Sequence, residues 1–334
     1  NNQGLYNKAV PLNLRALKIL ERALGPEHPS TATSLNNLAL MYDNQGLYSK
    51  AELLYLRSLA IREKALGADH LHTGVSLNNL AGLYSDQGLN SKAEPLYLRS
   101  LEINEKALGP EHPEAARSLN NLAVLYSVQG LYSKAEALYL RALAIREKAL
   151  GPEHPYTAII LDNLAELYRA QGLYNKAEPL FLRALAIKEK AFGTNHSSTA
   201  ISLNNLANLY YIQGIYRKAE PLTLRALAIN ENTLGTEHPG TGQYLHNLGL
   251  LYLREGLYDK AEPLLLRALA ILEQALGEDH PVTGTSIGSL TAFYNEQKNY
   301  NKAEPFARRG LDIELRLIQR ESPYLAISER QSYL

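Results

Sequence analysis

Residues 29–70 read PSTATSLNNLALMYDNQGLYSKAELLYLRSLAIREKALGADH, and the same text returns every 42 residues along the chain. Shifting by that period carries Leu38 onto Leu80, Leu122, Leu164, Leu206, Leu248 and Leu290. It carries Tyr42 onto Tyr84, Tyr126, Tyr168, Tyr210, Tyr252 and Tyr294 without a single insertion. A fixed period of this length marks a solenoid, because one supersecondary unit cannot bury its apolar face alone and must stack on its neighbours.

Within the unit, the constant positions 35, 38, 39 and 42 advance by three, one and three, the stripe of an α-helix and not the alternation of a strand. This helix A spans about 29–44. Pro29 suits its first turn, where the missing N–H has no partner to lose, and Gly46 suits a left-handed residue just past its end. Ser49-Lys50-Ala51-Glu52 reads as a capping box, repeated by Ser91/Glu94, Ser133/Glu136, Asn175/Glu178, Asp259/Glu262 and Asn301/Glu304. Helix B follows to Leu66, burying Ala51, Leu54, Ser58, Leu59 and Ile61, and Gly67 ends it.

The expected fold is all-α, an α-α superhelix of seven helix pairs near 29–66, 71–108, 113–150, 155–192, 197–234, 239–276 and 281–320. These form one domain over 1–322, preceded by a lone helix B at about 6–24 and followed by a tail or partial cap at 323–334. Asn1-Asn2-Gln3-Gly4 matches Asp43-Asn44-Gln45-Gly46, so the first residues are expected to close a helix A, and the chain to be a piece of a longer protein. The last pair departs from the pattern, with Lys298 in place of Gly256 and Ser289 in place of Asn247.

Composition narrows the function classes. Basic and acidic residues balance at 34 each, so no global field draws the chain to nucleic acid or to an anionic membrane. The absence of cysteine removes disulfides, thiolate chemistry and Cys-based zinc sites, and fits a reducing compartment, with the cytoplasm as the expected location. No apolar run approaches the roughly 18 residues of a membrane helix. No nucleophile beside a base, phosphate-cradling loop or carboxylate cluster stands out from the repeat, so neither enzymatic activity nor a cofactor is expected. His28, His70, His112, His154, His196, His238 and His280 invite a metal reading, but one repeat separates each from the next. That is about 10 Å, too far for ligands that sit near 2 Å from a shared ion, so each is expected to cap or pack at the start of helix A. Lys50 and Arg57 recur in every helix B and read as a solvated or ion-paired face.

Leu35, Leu38, Ala39 and Tyr42, then Ala51, Tyr55 and Ser58, resemble the tetratricopeptide pattern of large, large, small, aromatic, then small, aromatic, small. The 42-residue period, the Leu-Asn-Asn-Leu-Ala block and the Leu-Gly-Pro-Glu-His-Pro link are similar to kinesin light chain repeats and to long bacterial arrays of that subtype. The resemblance implies antiparallel helix pairs wound into a right-handed superhelix, with helix A lining a concave side where peptides or partner domains bind.

The seven copies of helix A compare themselves. Positions on the packing stripe scarcely change, whereas the neighbouring stripe varies: Thr33, Val75, Arg117, Ile159, Ile201 and Gln243 at one site, Leu40, Gly82, Val124, Glu166, Asn208 and Leu250 at another. A third varies as Asp43, Ser85, Ser127, Arg169, Tyr211 and Leu253. Tetratricopeptide proteins contact ligands through this stripe, so the resemblance nominates Asn79, Asn121, Asn163, Asn205, Asn247, Arg117, Arg169 and Tyr211 as peptide contacts. The constant Asn row admits two readings: amides that hold a peptide backbone, or amides that bond the adjacent helix and set the stacking. Its doublet partner, Asn36, Asn78, Asn120, Asp162, Asn204 and His246, is less constant and is expected to be the more exposed of the two.

These features predict a protein-interaction scaffold. Two alternatives stand beside it. Arg309-Gly310-Leu311-Asp312-Ile313-Glu314 and Ser328-Glu329-Arg330-Gln331 resemble the joint between such arrays and a CHAT protease-like domain, which implies a regulatory or sensor arm whose effector lies beyond Leu334. A structural spacer is the third reading. Leu12, Leu14, Leu17 and Ile19 at one end, and Ile313, Leu317 and Ile318 at the other, are expected to be partly uncovered and to allow weak end-to-end association, with Tyr324, Leu325 and Ile327 as a partial cap.

Overall fold

A computed structural model describes the backbone of residues 2–321 and the side chains of 9–316. Among the described residues it is built of helices with no strand. They are α1 (Asn2–Leu24), α2 (Pro29–Asp43), α3 (Tyr48–Leu66), α4 (Leu71–Asp86), α5 (Asn90–Leu108), α6 (Pro113–Val128), α7 (Tyr132–Leu150) and α8 (Pro155–Ala170). There follow α9 (Tyr174–Phe192), α10 (Ser197–Ile212), α11 (Tyr216–Leu234), α12 (Pro239–Arg254), α13 (Tyr258–Leu276), α14 (Pro281–Glu296) and α15 (Tyr300–Glu321). Two compact units result, one over residues 2–194 with α1 to α9, the other from Asn195 with α10 to α15. Within each, an even-numbered A helix packs on the B helix after it, that B helix packs on the next A, and successive A helices also touch.

Each A helix opens on a histidine cap. His28, His70, His112, His154, His196, His238 and His280 have extended backbones, and each accepts through its side chain the N–H two residues on. In each the imidazole accepts through Nδ1, which satisfies one of the N–H groups that open the helix. Thr31 Oγ1 donates to the Gly25 carbonyl at 2.9 Å, and Thr73, Thr157, Thr241 and Thr283 repeat the staple, closing the link from the preceding helix. At the other end Gly46 sits at φ 71, and the Leu47 N–H reaches back to the Tyr42 carbonyl at 2.9 Å. Lys298 adopts the same left-handed region at φ 58, which a lysine occupies only with strain.

Two sequence expectations fail here. The B helices carry no capping box: α3 begins at Tyr48 with Leu47 as its cap residue and no side-chain bond. Ser49 therefore lies inside the first turn, and Glu52 lies past it and turns to the next repeat, accepting from Tyr84 Oη at 2.7 Å. The second failure is at the start, where α1 runs through Gly4 as continuous helix from Asn2. In later links a Gly at positive φ and a bond from the Leu47 N–H to the Tyr42 carbonyl make the turn, whereas Gly4 continues the helix.

The core alternates large and small. Leu35, Leu38, Ala39 and Ala32 on helix A meet Ala51, Tyr55, Ser58 and Ile61 on helix B, all buried, while Leu54 is half-buried. Burying each such leucine contributes about 1.5–3 kcal/mol. Ser58 Oγ donates to the Ala32 carbonyl at 2.7 Å, a bond made possible by the close approach of small residues, and Ala142, Ala184, Ala226 and Ala268 fill that position in later copies. The tyrosines that close helix A lock adjacent repeats: Tyr126 donates to Glu94, Tyr168 to Glu136, Tyr252 to Glu220 and Tyr294 to Glu262 at 2.6–2.8 Å. Burial, and then the glutamate, push the Tyr126 phenol up to about 12. The recurrent lysine lies over the same ring, Lys134 at 5.1 Å from the Tyr126 centroid. Recurrent arginines tie successive B helices, as in Arg99–Glu63 at 2.8 Å and Arg141–Glu105 at 2.7 Å. These are half-open pairs worth about 0–1 kcal/mol each.

At the chain's first helix Leu12, Leu14 and Ile19 are exposed, but Leu17 is not, since it packs with Leu35 and Ile61. Ile313 is likewise buried. The side chains of Leu317 and Ile318, and residues 323–334 with Tyr324, Leu325 and Ile327, lie outside the described residues.

Candidate functional site

The candidate face is built from the side of helix A not used in packing. Its most regular feature is an amide ladder. In the first unit Asn79 Nδ2 donates to Asn36 Oδ1 at 3.1 Å, Asn121 to Asn78 at 3.0 Å and Asn163 to Asn120 at 2.9 Å. In the second, Asn247 donates to Asn204 at 2.8 Å, and the next rung pairs His246 with Ser289 at 2.9 Å. In these rungs Asn79, Asn121, Asn163 and Asn247 each bond the doublet partner one repeat back. That corrects the expected exposure: Asn36, Asn78 and Asp162 are buried, and Asn120, Asn204 and His246 are half-buried, no more open than Asn79, Asn121, Asn163, Asn205 and Asn247. The ladder uses one N–H of each row amide and leaves the rest of its capacity at the face.

The variable positions differ in openness. Ile159, Ile201, Val124, Glu166 and Asn208 are exposed, Arg117, Arg169 and Tyr211 half-buried, and Leu253 buried. Both nominated cations already have a carboxylate beside them. Arg117 pairs with Glu114 at 2.8 Å, and Arg169 grips Glu166 through two nitrogens, its Nε at 2.7 Å. Tyr211 accepts from Arg254 Nε at 3.3 Å and borders a cavity of about 60 Å³ that opens where Thr223 replaces the bulk of Tyr55. Asp43 stands at the same stripe, its carboxyl pushed up to about 6 by burial and by the Asp86 charge.

The sequence profile described as "Tetratricopeptide repeat" matches residues 1–64, 54–106, 72–148, 114–190, 156–232, 198–274 and 245–314. The chain belongs to the tetratricopeptide repeat family. This tetratricopeptide chain is similar to the crystal structure of BtubC (BKLC) from P. vanneervenii, with 29% identity, 67% of this chain and 90% of that one covered, and a TM-score of 0.58. It is also similar to a putative kinesin light chain with nearly identical TPR-like repeats from Podosopora anserina, at 31% identity over 62% of this chain and 98% of that one, with a TM-score of 0.51. A Rap protein complexed with Competence and Sporulation Factor shares the fold at 18% identity, covering 93% and 99%, with a TM-score of 0.52. No curated protein matches the sequence. Among the described residues no helix is long and apolar enough to cross a membrane, and no group of three or more candidate metal ligands occurs.

One series on this tetratricopeptide face escaped sequence reading, because it lies on helix B. Position 62 and its equivalents run Arg62, Asn104, Arg146, Lys188, Asn230 and Leu272. All are buried and point towards the neighbouring A helices. Arg62 donates to the His72 carbonyl at 2.8 Å, Ser76 Oγ at 2.9 Å and Thr33 Oγ1 at 3.2 Å. Asn104 donates to Ser118 Oγ at 2.9 Å, and Lys188 pairs with Asp162 at 2.6 Å. Polar residues recurring at a buried position were the available signal.

Proposed function

We propose that this chain is a non-catalytic protein-interaction scaffold that holds a peptide or a partner-protein segment in a concave groove floored by its A helices. One observation carries the reading: the packing stripe is nearly invariant from repeat to repeat, while the positions beside it vary among the copies. Packing alone places no such demand on that stripe. A ligand laid along it would meet a changing set of side chains, which is how specificity is written on a repetitive frame.

Asn79, Asn121, Asn163, Asn205 and Asn247 serve here as fixed amides, and Arg117, Arg169 and Tyr211 as variable contacts. Residues 1–322 act as one interaction module. The Rap protein solved with Competence and Sporulation Factor has a ligand on a scaffold of like fold, although the likeness is of fold alone. The balanced charge favours protein over nucleic acid or membrane as partner, and the cysteine-free composition suits the cytoplasm.

Panning a displayed random-peptide library on the chain tests this. Selected peptides should bind, and the combined variant Arg117→Ala, Arg169→Ala, Tyr211→Ala should weaken them about tenfold or more with an unchanged melting temperature. Equal binding to the variant would refute the assignment of the face.

A further inference from the structure

Position 56 of the repeat is leucine in seven consecutive B helices, yet its side chain stays open to solvent. In the unit over residues 2–194 the row is Leu14, Leu56, Leu98, Leu140 and Leu182, each 36–47% exposed, and Leu224 and Leu266 continue it in the other unit. Leu56 follows the buried Tyr55 and shares its side of α3 with positions 53 and 60, three before and four after, both of them exposed. The row therefore lies on the face of the B helices turned away from the A helices, opposite the side that packs.

Other constant positions of the repeat have their reason inside the chain: Leu38 fills the core, Arg57 pairs with Glu21, and Glu136 accepts from Tyr168. An open leucine has no such duty. Copying of the repeat does not account for it, because the open positions around it were copied too and have diverged. Position 53 reads Leu53, Pro95, Ala137 and Pro179, and position 49 reads Ser133, Asn175, Arg217 and Asp259. Folding does not demand it either, since the eighth B helix carries Arg308 there, exposed and paired with Glu304. Contact with a second surface is what keeps an open leucine constant.

We propose that the leucine row at position 56 is a self-association surface, on which a second copy of this chain lies row against row. A partner that meets more than one of these leucines must repeat with their spacing, and another copy does so by construction. Charge agrees. Beside the row, Arg57–Glu21, Arg99–Glu63, Arg141–Glu105 and Arg183–Glu147, at 2.6–2.8 Å, alternate cation and anion. This edge has no excess of positive charge to hold anionic lipid, and a second copy can set its arginines against these glutamates. Five such leucines, with the prolines and alanines beside them, offer on the order of a few hundred Å², short of the roughly 800 Å² that each partner buries in a standard interface. The dimer is accordingly weak. Row against row is an isologous contact that closes at two copies, unlike end-to-end stacking, and it leaves the helix-A groove free.

Sedimentation velocity on the whole chain, from about 5 to about 500 µM, tests this. The chain should pass from monomer to dimer and stop there. The combined variant Leu98→Arg, Leu140→Arg, Leu182→Arg, which installs the residue native to position 308, should raise the dissociation constant about tenfold or more with helix content and melting temperature unchanged. Leu12→Arg with Ile19→Arg, at the exposed end of the array, should leave the dimer as it is. The chain has no cysteine, so Leu56→Cys, Leu98→Cys and Leu140→Cys each add a single thiol. A bifunctional maleimide should join these into covalent dimers, and should not join Val128→Cys, which is as open but lies on an A helix. A monomer at every concentration, an open series of oligomers abolished by the Leu12 and Ile19 changes, dimers undiminished in the arginine variant, equal joining through Val128→Cys, or binding to phosphatidylcholine vesicles in place of dimerisation would each overturn the proposal. Peptide binding in the groove is a separate readout, so either reading can fail without the other.

Discussion

The surroundings of Arg62 and Arg146 are two readings of one template. In the first, a carbonyl and two hydroxyls take the guanidinium's protons, and the arginine acts as a rivet between helices α2, α3 and α4. In the second the rivet has lost its sockets to Ile160 and Arg117, and it faces a cavity instead. Burial lowers the basicity of both groups, so both pay for desolvation. The same cation thus ties three helices in one repeat and lines a cavity in another, through two substitutions on neighbouring helices.

Lys188 gives the comparison its sharpest third case, because it meets Asp162 with both side chains under 10% exposed. Asp162→Ala strands that ammonium, and it should lower stability by about 3–5 kcal/mol, read as a shift in the urea midpoint. A shift below about 1 kcal/mol would mean that water reaches the lysine and that the position is less sealed than its exposure indicates.

The comparison itself is broken or kept by one pair of variants. Arg62→Leu leaves the Ser76 and Thr33 hydroxyls and the His72 carbonyl without their donor and should cost about 1–3 kcal/mol. Arg146→Leu, which copies Leu272, removes a cation that lines a cavity and meets the Tyr156 ring, and should cost less than Arg62→Leu, within about 1 kcal/mol of neutral. Equal losses in urea denaturation would show that Arg146 is held by its environment as firmly as Arg62.

A smaller effect comes from pH. Burial depresses the imidazoles of His238 and His280 below the ordinary 6.5. The unfolded chain then takes up protons first as pH falls, so this contribution is complete above about 6.5 and is lost on acidification. Asp43 opposes it, since a carboxyl raised to about 6 in the folded state costs stability as pH rises through that value. Subtracting the two isolates the caps: His238→Asn, which keeps a cap acceptor that does not titrate, should flatten the fall in melting temperature between about pH 7 and 5 by a degree or two. The gap between Arg62→Leu and Arg146→Leu should stay constant over the same range, because neither guanidinium titrates there.

Much of the fold was legible because a 42-residue text repeated without gaps is a comparison in itself. Constant apolar positions 35, 38 and 39 had to face a neighbour, and Gly46 had to supply a backbone that other residues resist. The histidine caps followed from position alone. The capping box did not survive, because its signature of Ser then Glu is also met by a glutamate that reaches across to the next tyrosine. Sequence spacing fixes which residues share a helix, but not which of two partners a flexible carboxylate chooses.

What the sequence determined by itself is therefore the helical repeat, its period, its packing stripe and the variable stripe beside it, since these depend on spacing along one chain. Tertiary structure alone decided that the Asn doublet is a ladder running 43 residues back, with its first member buried at Asn36 and Asn78. It alone showed that Arg117 and Arg169 are answered by Glu114 and Glu166, while Arg146 lies over the Tyr156 ring. Whether a buried charge has a partner is a property of three helices at once, and positions 117, 146 and 160 acquire their meaning only when stacking brings them to one cavity.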